Sequence, residues 1–225
     1  MSDDSEARIL ESWHRNSAAW SAAVRERRIE SRALATDQAI IDAVLGRAPH
    51  SVLDIGCGEG WLARALAARG IKVLGVDADA GLIGHARAGG GGEFRVTNYQ
   101  QAAAGLLDFR ADVAVCNFSL LGRDSVDALF AGMAGMLTPQ GTFMVQTLHP
   151  RHAGADRPYQ DGWREGSWSG FSADFIDPAP WYFRTMESWE ALFRQHRLRL
   201  LEKREPLHPH TRQPASVIFI ADVMA

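Results

Sequence analysis

Two apolar periods alternate along the chain, one near 3.6 residues and one of short unbroken runs, and together they set out the elements. Residues 5–28 carry Ile9, Leu10, Trp13 and Trp20 at helical spacing. A second helical stretch covers 36–45, with Thr36 as its N-cap and Gly46 and Pro49 ending it. Apolar runs at 52–55, 72–76, 93–97, 112–116 and 142–147 then predict five strands, separated by helical stretches at 63–68, 80–87 and 125–137. The run at 112–116 is apolar enough for burial on both faces. A helix at 187–195 precedes two more strands, 197–203 and 216–222. Their link, 205–215, is long enough for an antiparallel hairpin and too short for a crossover. Strands alternating with helices predict an α/β domain over 1–225 with a mostly parallel, seven-stranded sheet and an antiparallel last strand.

Two stretches depart from this rhythm. Residues 1–35 form a helical cap ahead of the first strand, with Trp13, His14, Asn16 and Trp20 as candidate wall residues. Residues 148–185 have little periodicity, are rich in Gly and Pro, and hold Tyr159, Trp163, Trp168 and Trp181. Long irregular connections in compact domains are usually functional. This one leaves the carboxyl end of the fifth strand, the edge where open α/β sheets bind ligands, and is expected to be a lid over a substrate. Asn117, Phe118, Ser119 and Leu120 leave the fourth strand at that edge, and the loop carrying His208 and His210 points to it. The glycines at 89–92 belong to the opposite edge, as a flexible connection.

The candidate chemistry centres on Val52-Leu53-Asp54-Ile55-Gly56-Cys57-Gly58-Glu59-Gly60. A strand runs into three glycines at alternate positions and then into a helix, which brings backbone amides close to a ligand. A dinucleotide fingerprint reads G-x-G-x-x-G, whereas Trp61 stands where its third glycine would fall. An acid at Asp54 would repel a pyrophosphate and suits a ligand with cationic groups, such as the sulfonium and ammonium of S-adenosylmethionine. Asp77, ending the second strand, is placed to accept hydrogen bonds from both ribose hydroxyls.

The DIGCGEG and GVDAD segments resemble the first and second motifs of class I S-adenosylmethionine-dependent methyltransferases, and the later elements follow that family's order over residues 36–225. The resemblance implies a Rossmann-like three-layer sandwich. It further implies that Asp54, Gly56, Gly58 and Gly60 line the methionine and ribose side of the cofactor, that Asp77 holds the ribose, and that Ala78 lies beside the adenine. Asn98 stands where the family often has an acid, so the adenine contact falls to its amide oxygen, with Tyr99 next to it. Cys57, Asn117 and Phe118 complete the expected cofactor set.

Net charge and cysteine usage narrow the class. A formal charge of −3 gives no global footprint for nucleic acid, and Arg25, Arg27, Arg28 and Arg32, interleaved with Glu26 and Glu30, read as a solvated helix face. The acidic start lacks a secretory signal and no stretch has transmembrane length, so a cytoplasmic monomer or homodimer without membrane partner is expected. Cys57 and Cys116 read as small buried residues, not as a disulfide. His149, His152, His208 and His210 lack metal-ligand spacing, so no metal is expected.

Methyl transfer needs alignment and exclusion of water more than catalytic side chains. The expected activity is methylation of a small organic molecule. Trp13, Trp20, Ser119, Tyr159, Trp163, Trp168, Trp181 and His208 are the expected substrate contacts, and His149, fixed by Pro150 after the fifth strand, is the expected general base. An RNA or protein methyltransferase and a non-catalytic cofactor-binding module are the alternatives.

Overall fold

The computed structural model describes residues 2–153 and 157–224; residues 154–156 of the expected lid and the two terminal residues of the expected domain lie outside that range. The strands are β1 (Ser51–Ile55), β2 (Lys72–Asp77), β3 (Glu93–Val96), β4 (Ala111–Asn117), β5 (Leu137–Leu148), β6 (Gly162–Arg164), β7 (Trp181–Phe183), β8 (Leu198–Arg204) and β9 (Ser216–Val223). Seven of them form one sheet in the order β3-β2-β1-β4-β5-β9-β8. The first five run parallel, and β9 is antiparallel to both β5 and β8. The expected fold class is therefore observed.

The helices are α1 (Ser2–Arg25), α2 (Asp37–Leu45), α3 (Trp61–Ala67), α4 (Ala80–Gly89), α5 (Tyr99–Ala103), α6 (Asp124–Met136) and α7 (Met186–Gln195). Because side chains alternate along a strand, β1 sends Val52 to one face and Leu53 and Ile55 to the other. Val52, Val113, Val115 and Ile220 pack under Ile40, Leu62, Leu66 and Ile83 of α2, α3 and α4. Leu53, Ile55, Phe143 and Phe219 pack against Phe130, Trp189 and Phe193 of α6 and α7. A sheet covered on both faces leaves its carboxyl edge as the place for a ligand.

Several boundaries differ from expectation for local reasons. The first helix stops at Arg25 because Arg27 turns left-handed (φ 54°), and the Arg27 and Arg28 amides close onto the Val24 and Ala23 carbonyls. That is a Schellman ending reached without glycine. Thr36 makes no capping bond, since a π-helical turn over Arg32–Thr36 already leads into α2. α5 arises from a capping box in which the Asn98 side chain accepts from the Gln101 amide and Gln101 returns the bond. Within 148–185, β6 and β7 pair antiparallel as a small sheet of their own.

The expected solvated arginine face is only partly observed. Arg25 donates to the fully buried Glu59 of the glycine turn (2.9 Å) and to the His85 carbonyl of α4 (2.8 Å), which ties α1 down across the sheet edge. Arg64 of α3 donates to the Glu59 carboxylate as well (2.5 Å). Arg32 is buried, paired with Asp37 and stacked on Trp61 with its Cζ 4.8 Å from the ring centre. Loss of the charge at residue 59 removes charge-assisted bonds to two arginines that can each turn partly to water. Glu59→Gln is therefore expected to lower unfolding free energy by about 1.5–3 kcal/mol in urea melts. An unchanged midpoint would mean that the cluster does not hold α1 in place.

Candidate active site

A cavity of about 1230 Å³ opens over the carboxyl edge of β1, β2, β4 and β5. Its floor is the turn after β1. Gly56, Gly58 and Gly60 all take positive φ (73°, 57° and 82°), a conformation that favours glycine. At Gly58 a side chain would fill the gap below Trp20, whose Nε1 would lie 3.7 Å away. At Gly60 a Cβ would meet the Phe94 ring at 2.9 Å. Gly60 is thus a packing residue beneath the floor, not a lining one, and takes the role that the third glycine has in a dinucleotide turn.

Asp77 forms the next part of the floor. Its Oδ2 accepts from the Gly58 amide and its Oδ1 from the Asp79 amide, both at 2.9 Å, so the carboxylate is oriented before any ligand arrives. Burial pushes its pKa up to about 6, against the pull of those two amide bonds. Asp54 sits below the floor, almost wholly buried, on the same face of the sheet as Val52. Burial first, and then the charge of Asp77, raise its pKa to about 7, opposed by Arg32.

Four buried polar atoms in this region have no hydrogen-bond partner among the described residues: Asp54 Oδ2, Arg32 Nη2, Thr36 Oγ1 and Asn117 Oδ1. Orphaned groups of this kind are costly unless a ligand or water completes them. Arg32, Thr36 and Asn117 all line the cavity. A guanidinium and a hydroxyl beside a carboxylate suit a ligand that carries both a carboxylate and a cation.

The roof comes from α1 and from residues 166–184. Asn16 of α1 staples the two together, donating to the Ile176 carbonyl (2.7 Å) and accepting from the Ile176 amide (2.9 Å). Ser12 donates to the Asp177 carbonyl (2.5 Å), and Arg8 pairs with Glu165 (3.0 Å). Trp13 meets Trp20 and Trp168 edge-on, and Phe171 stacks on Trp20. Glu6 accepts from the amides of Arg123, Asp124 and Ser125, so α1 also caps the start of α6.

Of the expected residues, Gly56, Cys57, Gly58, Asp77, Ala78, Asn98, Tyr99, Asn117, Phe118, Ser119, Trp13, Trp20, Trp168 and Trp181 line this one cavity. Two of them are already committed locally: the Asn98 amide oxygen accepts from Gln101 (2.8 Å), and the Ser119 hydroxyl donates to the Ile55 carbonyl (2.8 Å) while its own carbonyl accepts from Tyr99 (2.7 Å).

Besides Asp54 and Gly60, which lie beneath the floor, four others are not brought to the lining. Tyr159 donates to Glu187 (3.0 Å) and accepts from the Met186 amide (2.7 Å), which holds the start of α7. Trp163 packs on Tyr182 across the β6–β7 pair. His208 lies beside His210 in the β8–β9 loop. His149 is buried with its Nε2 3.0 Å from Glu205, so the ring is turned toward that loop and anchors the root of the 148–185 segment. The strand end expected to aim it at the cavity instead puts Leu148 and Pro150 on the lining.

Lining residues that sequence reasoning did not single out include Arg32, Thr36, Asp79, Arg184 and Trp189. Among the described residues no cluster of three or more His, Cys, Asp or Glu is arranged to hold an ion.

Residues 24–203 match the family described as a methyltransferase domain. The chain belongs to that family. An uncharacterized methyltransferase of Mycobacterium tuberculosis is 32% identical over 111 residues, which cover 49% of this chain and 56% of that protein. The ubiquinone biosynthesis O-methyltransferase of an Azoarcus species is 31% identical over 114 residues, 48% of each. The chain thus spans about half the length of the curated relatives it matches. Among solved structures, the 1,6-didemethyltoxoflavin-N1-methyltransferase of Burkholderia thailandensis has a TM-score of 0.69 at 17% identity, with 100% of this chain and 91% of that one covered, a likeness of fold. The residues of this methyltransferase-family cavity fit S-adenosylmethionine: Asp77 for the ribose, the open space over Gly58, and the orphaned Asp54, Arg32 and Thr36 atoms for an amino-acid head.

Because the folded protein keeps the Asp54 proton up to about pH 7 while the unfolded chain loses it near 3.8, Asp54 withdraws stability as pH rises through that window. A cationic ligand reverses the preference, since it needs the carboxylate ionised. S-adenosylmethionine is therefore expected to bind about tenfold more weakly at pH 6 than at pH 8, and Asp54→Asn to flatten most of that slope in calorimetric titrations. An equal slope in the variant would remove Asp54 from cofactor binding.

Proposed function

We propose that this protein transfers a methyl group from S-adenosylmethionine to a small organic molecule held under the aromatic roof. The observation that carries this reading is the single cavity. At about 1230 Å³ it exceeds the roughly 300–1,000 Å³ of a pocket for one drug-sized ligand, and it joins the glycine turn to the Trp13, Trp168 and Trp181 wall without a partition. A roof of aromatic side chains and a net charge of −3 favour a small, flat acceptor over RNA.

Bound on this floor, S-adenosylmethionine supplies a methyl group made electrophilic by its sulfonium. Asp77, already oriented by two amides, fixes the ribose. Asp54 and Arg32 set the charge balance at the amino-acid end. Asn117 and Phe118, where β4 ends, line the same cavity. The roof holds the acceptor in line and keeps water out, which is where such a transfer gains most of its rate. His149 has no part in this scheme, because its ring faces Glu205.

Two titrations and one screen test the proposal. Micromolar binding of S-adenosylmethionine without comparable NAD binding is expected, followed by label transfer from methyl-labelled cofactor to at least one member of a panel of aromatic hydroxy compounds, amines and small acids. Preference for NAD would overturn the cofactor assignment. Transfer only to RNA or protein would overturn the acceptor class.

A further inference from the structure

Of the arginines that line the cavity among the described residues, Arg32 and Arg184, the proposed transfer leaves Arg184 without a task. It follows β7, is buried to 6% exposure, and lines the cavity at the loop after β4, two strands across the sheet from Asp77 at the end of β2. Its Nη1 and Nη2 donate to the Gly122 and Arg123 carbonyls at 2.9 and 3.1 Å, and its Cζ lies 4.9 Å from the Tyr182 ring centre and 5.1 Å from that of Trp189.

These contacts fix the guanidinium but do not neutralise it. Among the described residues no carboxylate forms an ion pair with Arg184. Asp161, Asp127 and Glu6 oppose the cost of its burial from a distance, but their direct hydrogen bonds go elsewhere: Asp161 to the Thr185 amide and the Ser188 hydroxyl, Asp127 to His196, and Glu6 to three amides of α6. Burial lowers the Arg184 pKa to about 10, which still leaves it cationic at neutral pH. Burying an unpaired charge is expensive, and a fixed guanidinium with N–H donors to spare matches a planar carboxylate.

We infer that the methyl acceptor carries a carboxylate, which pairs with Arg184 while its apolar body lies against the aromatic wall. This inference rests on the small-molecule reading and narrows it to organic acids. The Nε donor and the remaining Nη donors of Arg184 take the carboxylate oxygens. The Gly122 and Arg123 carbonyls keep the guanidinium plane in place, and the rings of Tyr182 and Trp189 flank it. The acceptor is thereby anchored at the end of the cavity opposite the ribose, with its reactive atom between the two.

The test uses the full chain loaded with S-adenosylhomocysteine and a matched pair of probes, benzoate and benzamide, followed by calorimetry and by tryptophan fluorescence. Benzoate is expected to bind at least tenfold more tightly than benzamide. In Arg184→Gln that preference is expected to vanish while cofactor affinity is kept, and in Arg184→Lys it is expected to return in part. Binding of benzoate no tighter than benzamide by the parent protein, absent binding included, overturns the inference, and needs no variant to fold. Preference retained in a folded Arg184→Gln overturns it too. Loss of cofactor binding by the parent would instead strike at the methyltransferase reading itself, so the two failures are distinguishable.

Discussion

A carboxylate with no exposed surface has to be answered from within the protein, and at Glu59 that requirement shapes the whole ligand edge. The residue stands between Gly58 of the floor and Gly60 packed beneath it on Phe94, and its side chain reaches no solvent. Arg64 meets it from the helix that the same turn begins, and Arg25 from the far end of α1. The second pairing brings an N-terminal helix, otherwise free of the sheet, across the mouth of the cofactor site. Once α1 lies there, Asn16, Ser12 and Arg8 receive the 165–177 segment, and Glu6 caps α6. Cap, turn and lid are thus one chain of contacts with a buried charge at its root.

This arrangement suits the proposed use of one cavity by a cofactor and its acceptor. The sheet contributes polar, rigid backbone at its carboxyl edge, below which Asp54, Arg32 and Thr36 hold orphaned atoms, Thr36 with its carbonyl on Gln146 of β5. The roof contributes rings, which exclude water without competing for hydrogen bonds. The chemistry proposed here needs both: a charged pocket that orients a cofactor and a dry one that aligns its acceptor.

The mostly parallel sheet, its antiparallel last strand and the glycine floor were legible in the sequence, because short apolar runs, glycine spacing and the acids at Asp54 and Asp77 are local signals, whereas the strand order came only from the tertiary structure. Gly60 was assigned to the right turn but the wrong side of it, since only the tertiary contact with Phe94 shows that it packs downward. The capping box at Asn98 was readable as N-x-x-Q and would have announced α5. Arg25 and Arg32 could not be separated from their solvated neighbours, as a helical wheel does not show which arginine finds a buried acid. His149 misled for a related reason: position after a strand fixes the edge, but not the face to which the side chain turns. Arg184, one charge amid aromatics, carried a signal that went unused.

The central claim is that α1 and residues 165–178 close together as one roof over an occupied floor. Hydrogen exchange followed by mass spectrometry, with and without S-adenosylhomocysteine, tests it most directly. Ligand is expected to slow exchange in both segments in parallel, the Ile176 amide among the slowest, and Asn16→Ala to abolish the effect over 165–178 while leaving β1 and β2 protected. Exchange in 165–178 at the rate of a free loop, the same with ligand as without, would contradict the account.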